Sequence, residues 1–205
     1  MGTDKAMLRL RSVTLLERAC STLEEAGFAV AVSVADAGSP AALQLAGSGI
    51  PIVRDKDPEQ GPLGGIVAAL ESVASESQQP VLFLPVDVPL LPPEFLLWLW
   101  RRAVSSGAAA TIPAIHGREQ PLCAVYRSKL AAPLRHALAG GERKVMRAIS
   151  AAAAAGDLDR VSVEAVTPLM GWYRPQLWFT NVNTPGDWAA VEQATLRGQA
   201  EPSRI

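Results

Sequence analysis

Residues 80–86 read Pro-Val-Leu-Phe-Leu-Pro-Val, an unbroken apolar run that stops at Asp87. An apolar run without polar alternation fits a strand buried on both faces, as in a parallel sheet covered by helices on either side. The segments around it keep to that plan. Leu15, Leu16, Ala19, Leu23 and Ala26 recur at helical spacing, with Gly27 at the stop, and Phe28–Val34 is a short β-prone run. A helix over Pro40–Ala46, a short strand over Ile50–Val53 and a polar loop Arg54–Gln60 follow. Gly61-Pro62-Leu63-Gly64-Gly65 then opens a helix carrying Ile66, Ala69, Leu70 and Val73. Beyond Asp87 the pattern predicts helices at Pro93–Ser106, Ser128–Ala139 and Glu142–Ala154, and a last one from Pro185 to about Leu196. Strands are predicted at Ala108–Pro113 and Gln120–Tyr126, and near Val161–Val166 and Leu177–Asn181. Alternating strands and helices define an α/β architecture with a mostly parallel sheet and a small antiparallel addition in the C-terminal half. With 205 residues the chain is long enough for one domain and short for two, so 1–198 reads as a single unit and 199–205 as a polar tail.

Composition removes several function classes. Apolar residues make up 49% and charged residues 19%, which supports a sizeable core and excludes wholesale disorder. The formal net charge is −1, with no single-signed field to grip nucleic acid or an anionic membrane, so neither is expected as a partner. No apolar stretch approaches the roughly 18 uninterrupted residues of a membrane span. The start lacks the apolar core of a secretory signal, which makes the cytoplasm the default compartment. Cys20 and Cys123 form no C-x-x-C pair and read as buried free thiols. His116 and His136 have no carboxylate or thiol at ligand spacing. Neither G-x-x-x-x-G-K-[ST] nor G-x-S-x-G occurs.

The candidate chemistry sits where strands end. In an open α/β sheet, ligands bind beyond the carboxyl ends of strands, and a carboxylate there can hold a magnesium ion against phosphates. Asp87 meets that description, although an Asp also opens turns before a proline such as Pro89. Asp55 ends an earlier strand in the same way, and reads equally as a loop cap. The 61–65 glycine segment offers backbone N–H groups at a helix N-terminus, suited to an anion or a closely approaching base or ribose. In Asn181-Val182-Asn183-Thr184-Pro185, Thr184 serves as N-cap and Pro185 as N1, which leaves two asparagines one strand-period apart on one side. Arg143, Lys144 and Arg147 form a small cationic face on a helix, with a solvated surface as the plainer account.

Taken in order, these motifs resemble the molybdenum cofactor guanylyltransferase family. They are Met1-Gly2-x-Asp4-Lys5, Asp55 with Gly61-Pro62-Leu63-Gly64-Gly65-Ile66, and Pro85-Val86-Asp87-Val88-Pro89-Leu90-Leu91-Pro92. Next come Gln120-Pro121-Leu122 with Tyr126, then Gly141-Glu142-Arg143-Lys144-Val145-Met146 and Asn181-Val182-Asn183-Thr184-Pro185. The resemblance implies a Rossmann-like nucleotidyltransferase fold, three layers with helices on both faces of the sheet. It implies transfer of GMP from GTP to molybdenum-molybdopterin, with Mg2+ as cofactor and pyrophosphate released. It casts Lys5 as the phosphate-contacting lysine and Asp87 as the magnesium ligand. Asp55 and Gly61, Pro62, Leu63 and Gly64 fall on the nucleotide side. Arg143, Lys144, Arg147, Asn181 and Asn183 fall toward the pterin phosphate, with Asn183 a second metal contact by analogy. Molybdopterin-handling proteins or molybdoenzyme chaperones would be its partners. Family members begin with a strand and a loop of the form L-A-G-G-x-S-x-R-M-G-x-D-K, and this sequence starts at the methionine of that signature. Unpaired strand edges in mid-sheet and impaired catalysis are therefore expected of the chain as given. A related cytidylyl- or uridylyltransferase, or a non-catalytic nucleotide- or pterin-binding homologue, are the alternatives.

Overall fold

Thr14 and Glu17 exchange hydrogen bonds, Thr14 Oγ1 accepting from the Glu17 N–H at 3.1 Å and Glu17 Oε2 from the Thr14 N–H at 2.8 Å. This capping box starts the first long helix at Leu15. It lies in a computed structural model that describes residues 4–10, 12–55, 60–73, 79–154, 156–168 and 175–198. The 199–205 tail, Met1-Gly2 of the first motif and most of the 54–60 loop lie outside the described residues.

A 3-10 turn, Lys5–Met7, leads into a small ladder of β1 (Arg9–Leu10) with β2 (Val13–Thr14). Then follow α1 (Leu15–Glu25), β3 (Val32–Val34), α2 (Pro40–Gln44), β4 (Ile52–Arg54), α3 (Gly61–Ser72) and β5 (Pro80–Leu82). Helix α4 (Pro93–Ser106) has the predicted bounds, with Pro93 at its start and Gly107 in the left-handed region at its end. Next come β6 (Ala110–Ile115), β7 (Arg118–Glu119), β8 (Val125–Arg127), α5 (Ala131–Ala139) and α6 (Val145–Ala152). The chain continues through β9 (Leu158–Ser162), α7 (Val163–Val166), α8 (Pro175–Trp178) and α9 (Pro185–Gly198).

Three predicted strands differ. Of Gln120–Tyr126 only Val125 and Tyr126 lie in a strand, and 121–124 form a turn in which the Cys123 N–H donates to the Gln120 oxygen at 3.0 Å. The strand near 161–166 ends at Ser162, whose hydroxyl accepts from the Ala165 N–H and caps α7 instead. The segment 177–181 contains the end of α8 and a loop. Its aromatic pair packs onto α4, with the Trp178 and Phe179 rings 5.2 and 6.0 Å from Phe95. That contact, absent from any local pattern, overrides the β propensity of Leu-Trp-Phe.

Strands β5, β6 and β9 run in one direction, with β8 antiparallel between β5 and β6 and β7 as a hairpin partner of β6. β3 and β4 form a separate parallel pair. Among the described residues β3 pairs only with β4 and β5 only with β8. Side chains alternate between two cores, as the period of a strand requires. Val81, Phe83, Ala124, Tyr126, Ala110 and Ile112 face α3, α5 and α6. Leu82, Leu84, Cys123, Val125 and Ile115 face α1 and α4. The result is three layers, α/β/α. Among the described residues no helix is long and apolar enough to cross a membrane.

Candidate active site

Lys5, Asp87 and Asn183 stand far apart in sequence and are drawn together by an apolar cluster behind them. Leu8, Leu10 and Leu15 follow Lys5, Val86 and Leu90 flank Asp87, Val182 precedes Asn183, and Trp188 and Val191 come from α9; all belong to one packed group. Val182 is 1% exposed. Burying a valine fully contributes about 1.5–3 kcal/mol, against about 0.5–1.5 kcal/mol net for one hydrogen bond. Packing therefore holds the three segments, and hydrogen bonds set their register.

That register is explicit. The Val182 N–H donates to the backbone oxygen of Asp87 at 2.9 Å, and Arg18 Nε donates to the Pro89 oxygen at 2.6 Å. Asp4 caps the first turn by accepting from the Ala6 N–H at 3.1 Å; Ala6 is buried, and the Lys5 side chain is turned outward. Lys5 Nζ donates to Asn183 Oδ1, closing the group. Asn181 and Asn183 are both exposed on either side of buried Val182, as alternation required, although they lie in a loop and not on a strand.

A cleft of about 330 Å3, whose lining reaches the Asp87 loop at Pro85 but includes none of Lys5, Asp87 and Asn183, runs between the β3 and β5 segments. Ser33, Ala35 and Asp55 form one wall, Phe83, Leu84, Pro85 and Leu122 the other, and Gly61, Pro62, Gly65 and Ile66 bring in the first turns of α3. Asp55 is fixed by its own N–H donating to the Val34 oxygen at 3.0 Å. Its carboxylate lies against α3: a Cβ added at Gly64 would come within 2.5 Å of Asp55 Oδ2, and one at Gly65 within 3.1 Å of Ser33 Oγ. The two glycines are thus the room that Asp55 and Ser33 need against the helix, a role the sequence could not reveal. Leu63 is buried in the core beneath.

The cationic triplet is organised differently. Arg143 Nη1 donates to the Leu138 and Glu142 oxygens, each at 3.0 Å, so its guanidinium caps the end of α5. Glu142 accepts from the N–H groups of Arg143 and Lys144 and pairs with Arg147 at 3.0 Å. Those contacts, led by the Lys144 N–H, hold the Glu142 carboxyl below the usual carboxylate range. Arg147 and Lys144 are exposed, and the hydrogen bonds of this turn run to α5 and within itself rather than to Lys5 or Asp87. A larger hollow of about 780 Å3, where Arg135 forks onto Glu71 near the end of α3, contains none of the motif residues.

Sequence reasoning passed over one residue here. Asp187 binds the Asn183 and Thr184 N–H groups, and the T-x-x-D spacing of a capping box was the signal that could have found it.

Solved structures place this architecture among the nucleotidyltransferases. The molybdopterin-guanine dinucleotide biosynthesis protein A of Archaeoglobus fulgidus superposes with a TM-score of 0.77 at 24% identity, over 96% of this chain and 92% of that one. The 2-C-methyl-D-erythritol 4-phosphate cytidylyltransferase of Thermus thermophilus gives 0.63 at 16% identity, over 94% of each chain. The fold is a nucleotidyltransferase fold. Within that class the sequence narrows the choice: residues 1–156 match the model of the MobA-like NTP transferase domain. The molybdenum cofactor guanylyltransferase of Cereibacter sphaeroides (strain ATCC 17029) is 34% identical over 197 residues, 93% of this chain and 88% of that protein. The chain belongs to the MobA-like NTP transferase family.

Proposed function

We propose that this protein transfers GMP from GTP to molybdenum-molybdopterin. A terminal phosphate oxygen of the pterin attacks the α-phosphorus, the bond to the β-phosphate oxygen breaks, and the guanine dinucleotide and pyrophosphate are the products. Such a displacement needs positioning and charge neutralisation more than covalent help from the protein. The observation that carries the reading is the meeting of Lys5, Asn183 and the Asp87 loop beside a strand-end cleft, in a chain 34% identical to a protein of that name.

In this reading the Lys5 ammonium offsets the charge growing on the leaving pyrophosphate. Asp55, wedged against the first turns of α3, faces the nucleotide in the cleft with Gly61 and Pro62 beside it, while Leu63 and Gly64 are buried behind them. Phe83 and Leu122 exclude water from its apolar side. Lys144 and Arg147, exposed on the α6 side, receive the pterin phosphate; Arg143 shapes that turn through its hold on α5.

A magnesium ion fits the donor set. Mg2+ takes oxygen ligands and is held by one or two carboxylates together with substrate phosphates. Asp87 offers one carboxylate on a loop pinned by the Val182 N–H. Among the described residues no three His, Cys, Asp or Glu side chains cluster as a metal cage, which leaves the phosphates as the remaining ligands. When bound, the ion would withdraw charge from the α-phosphate oxygens.

The test is calorimetric binding of GTP, CTP and UTP with and without Mg2+, followed by product analysis with molybdopterin. Magnesium-enhanced GTP binding and formation of the guanine dinucleotide are expected. A preference for CTP or UTP would move the protein to a sister activity, and binding without turnover would make it a non-catalytic homologue.

A further inference from the structure

We infer that Asp187 is a positioning residue for this reaction, fixing Asn183 where its amide oxygen meets the Lys5 ammonium. The inference rests on the reading of Lys5 and Asn183 above.

Asp187 stands in the first turn of α9. Its Oδ2 accepts from the Thr184 N–H at 2.8 Å, and its own N–H donates to Thr184 Oγ1 at 3.2 Å. Those two bonds are a capping box and by themselves explain only a helix start. The third bond goes further. The same Oδ2 accepts from the N–H of Asn183 at 3.1 Å, one residue before the cap.

The consequence follows along three successive residues. Val182 is tied through its N–H to the Asp87 backbone oxygen, and Asn183 and Thr184 are tied through theirs to Asp187. The backbone on both sides of the Asn183 side chain is therefore fixed, and its Oδ1 presents one position to Lys5 Nζ. Lysine is an extended, many-rotamer side chain, exposed here. A fixed acceptor selects one of its rotamers, whereas a moving one selects none. Removing the Asp187 carboxylate leaves two N–H groups without their acceptor, frees the turn, and releases Lys5 without touching it.

The experiment reads Lys5 directly. The chain has four lysines, so protein labelled with 13C at lysine Cε gives a sparse spectrum in which the Lys5 signal is assigned by its loss in Lys5→Arg. Asp187→Ala is expected to move that signal toward its position in Asn183→Ala, leaving those of Lys129 and Lys144 in place. Asp187→Asn, which keeps an acceptor oxygen, is expected to restore it. In the transfer assay Asp187→Ala should lower kcat about tenfold with KM for GTP changed less than about twofold. The double variant with Asn183→Ala should be no slower than Asn183→Ala alone. Ser162→Ala, which removes a cap from α7, should leave kcat unchanged. An unmoved Lys5 signal, or losses that multiply in the double variant, overturns the inference. If the Lys5 signal moves but the unaltered protein makes no guanine dinucleotide, the placement stands and the guanylyltransferase reading falls.

Discussion

Asp55 directly follows β4 while Asp87 lies in a turn beyond β5, and the two are held differently, which separates their expected phenotypes. The Asp87 loop is anchored through a backbone oxygen, which accepts from Val182 whatever the side chain. Asp87→Ala should therefore keep the fold, with a melting temperature within about 3 °C of the parent. It should lose on the order of 100-fold or more of metal-dependent turnover, the usual scale for removing a group that stabilises transition-state charge. A calorimetric melt beside a rate assay checks both halves. Asp55→Ala is expected to act on binding, raising the GTP dissociation constant about tenfold, or about 1.4 kcal/mol. Unchanged GTP affinity in that variant would remove Asp55 from the nucleotide side.

At the scale of elements, the glycine segment changes meaning once α3 is seen against β3 and β4. Its residues are part of the helix, and two of them are small because Asp55 and Ser33 press on it. In an unencumbered helix, Gly→Ala would add up to about 1 kcal/mol of stability. At Gly64 the new methyl would come within 2.5 Å of Asp55 Oδ2, so the carboxylate must swing away. Gly64→Ala is thus expected to reproduce the GTP-binding loss of Asp55→Ala and to show none of that stability gain. Adding Asp55→Ala should recover it, because the obstructing atoms are gone. Thermal melts of the three variants decide the matter; a stabilised Gly64→Ala with normal affinity would show that Asp55 has another place to go at no cost.

For the molecule as a whole, the two cores and the ties between sheet and loops set its response to pH and to thiol reagents. Asp157 accepts from Lys129 Nζ and from the Ala109 N–H, at 2.8 and 2.9 Å, and the lysine holds its carboxyl below the usual carboxylate range. A depressed folded value means that its stabilisation is complete above the unfolded value of about 4 and disappears as pH falls through the folded one. Asp157→Asn should therefore cost on the order of 1 kcal/mol at neutral pH, the scale of a partly exposed pair. It should also flatten the acid limb of a stability-against-pH curve. Both cysteines are free and buried; burial pushes the Cys123 thiol up to about 12 and the Cys20 thiol upward as well. Neither should react with a disulfide reagent near about pH 8 until the chain unfolds, when two thiols should titrate together.

Periodicity along the chain sufficed for the α/β class and for the full extent of α4, because those signals are local: helical spacing, a proline at one end and a glycine at the other; of the apolar run 80–86 only Pro80–Leu82 is strand, half-buried and paired antiparallel with β8. Motif order sufficed for the family. The sequence could not say that Arg143 is spent on capping α5, that Gly64 is a space for Asp55, or that Leu177 and Trp178 end a helix. Each of those rests on an atom brought in by another element. The T-x-x-D spacing marks Asp187 as a cap, but its hold on the Asn183 N–H shows only in the fold. Only the packing of Val182, Val86 and Leu8 into one cluster puts Lys5 and Asn183, 178 residues apart, within reach of each other.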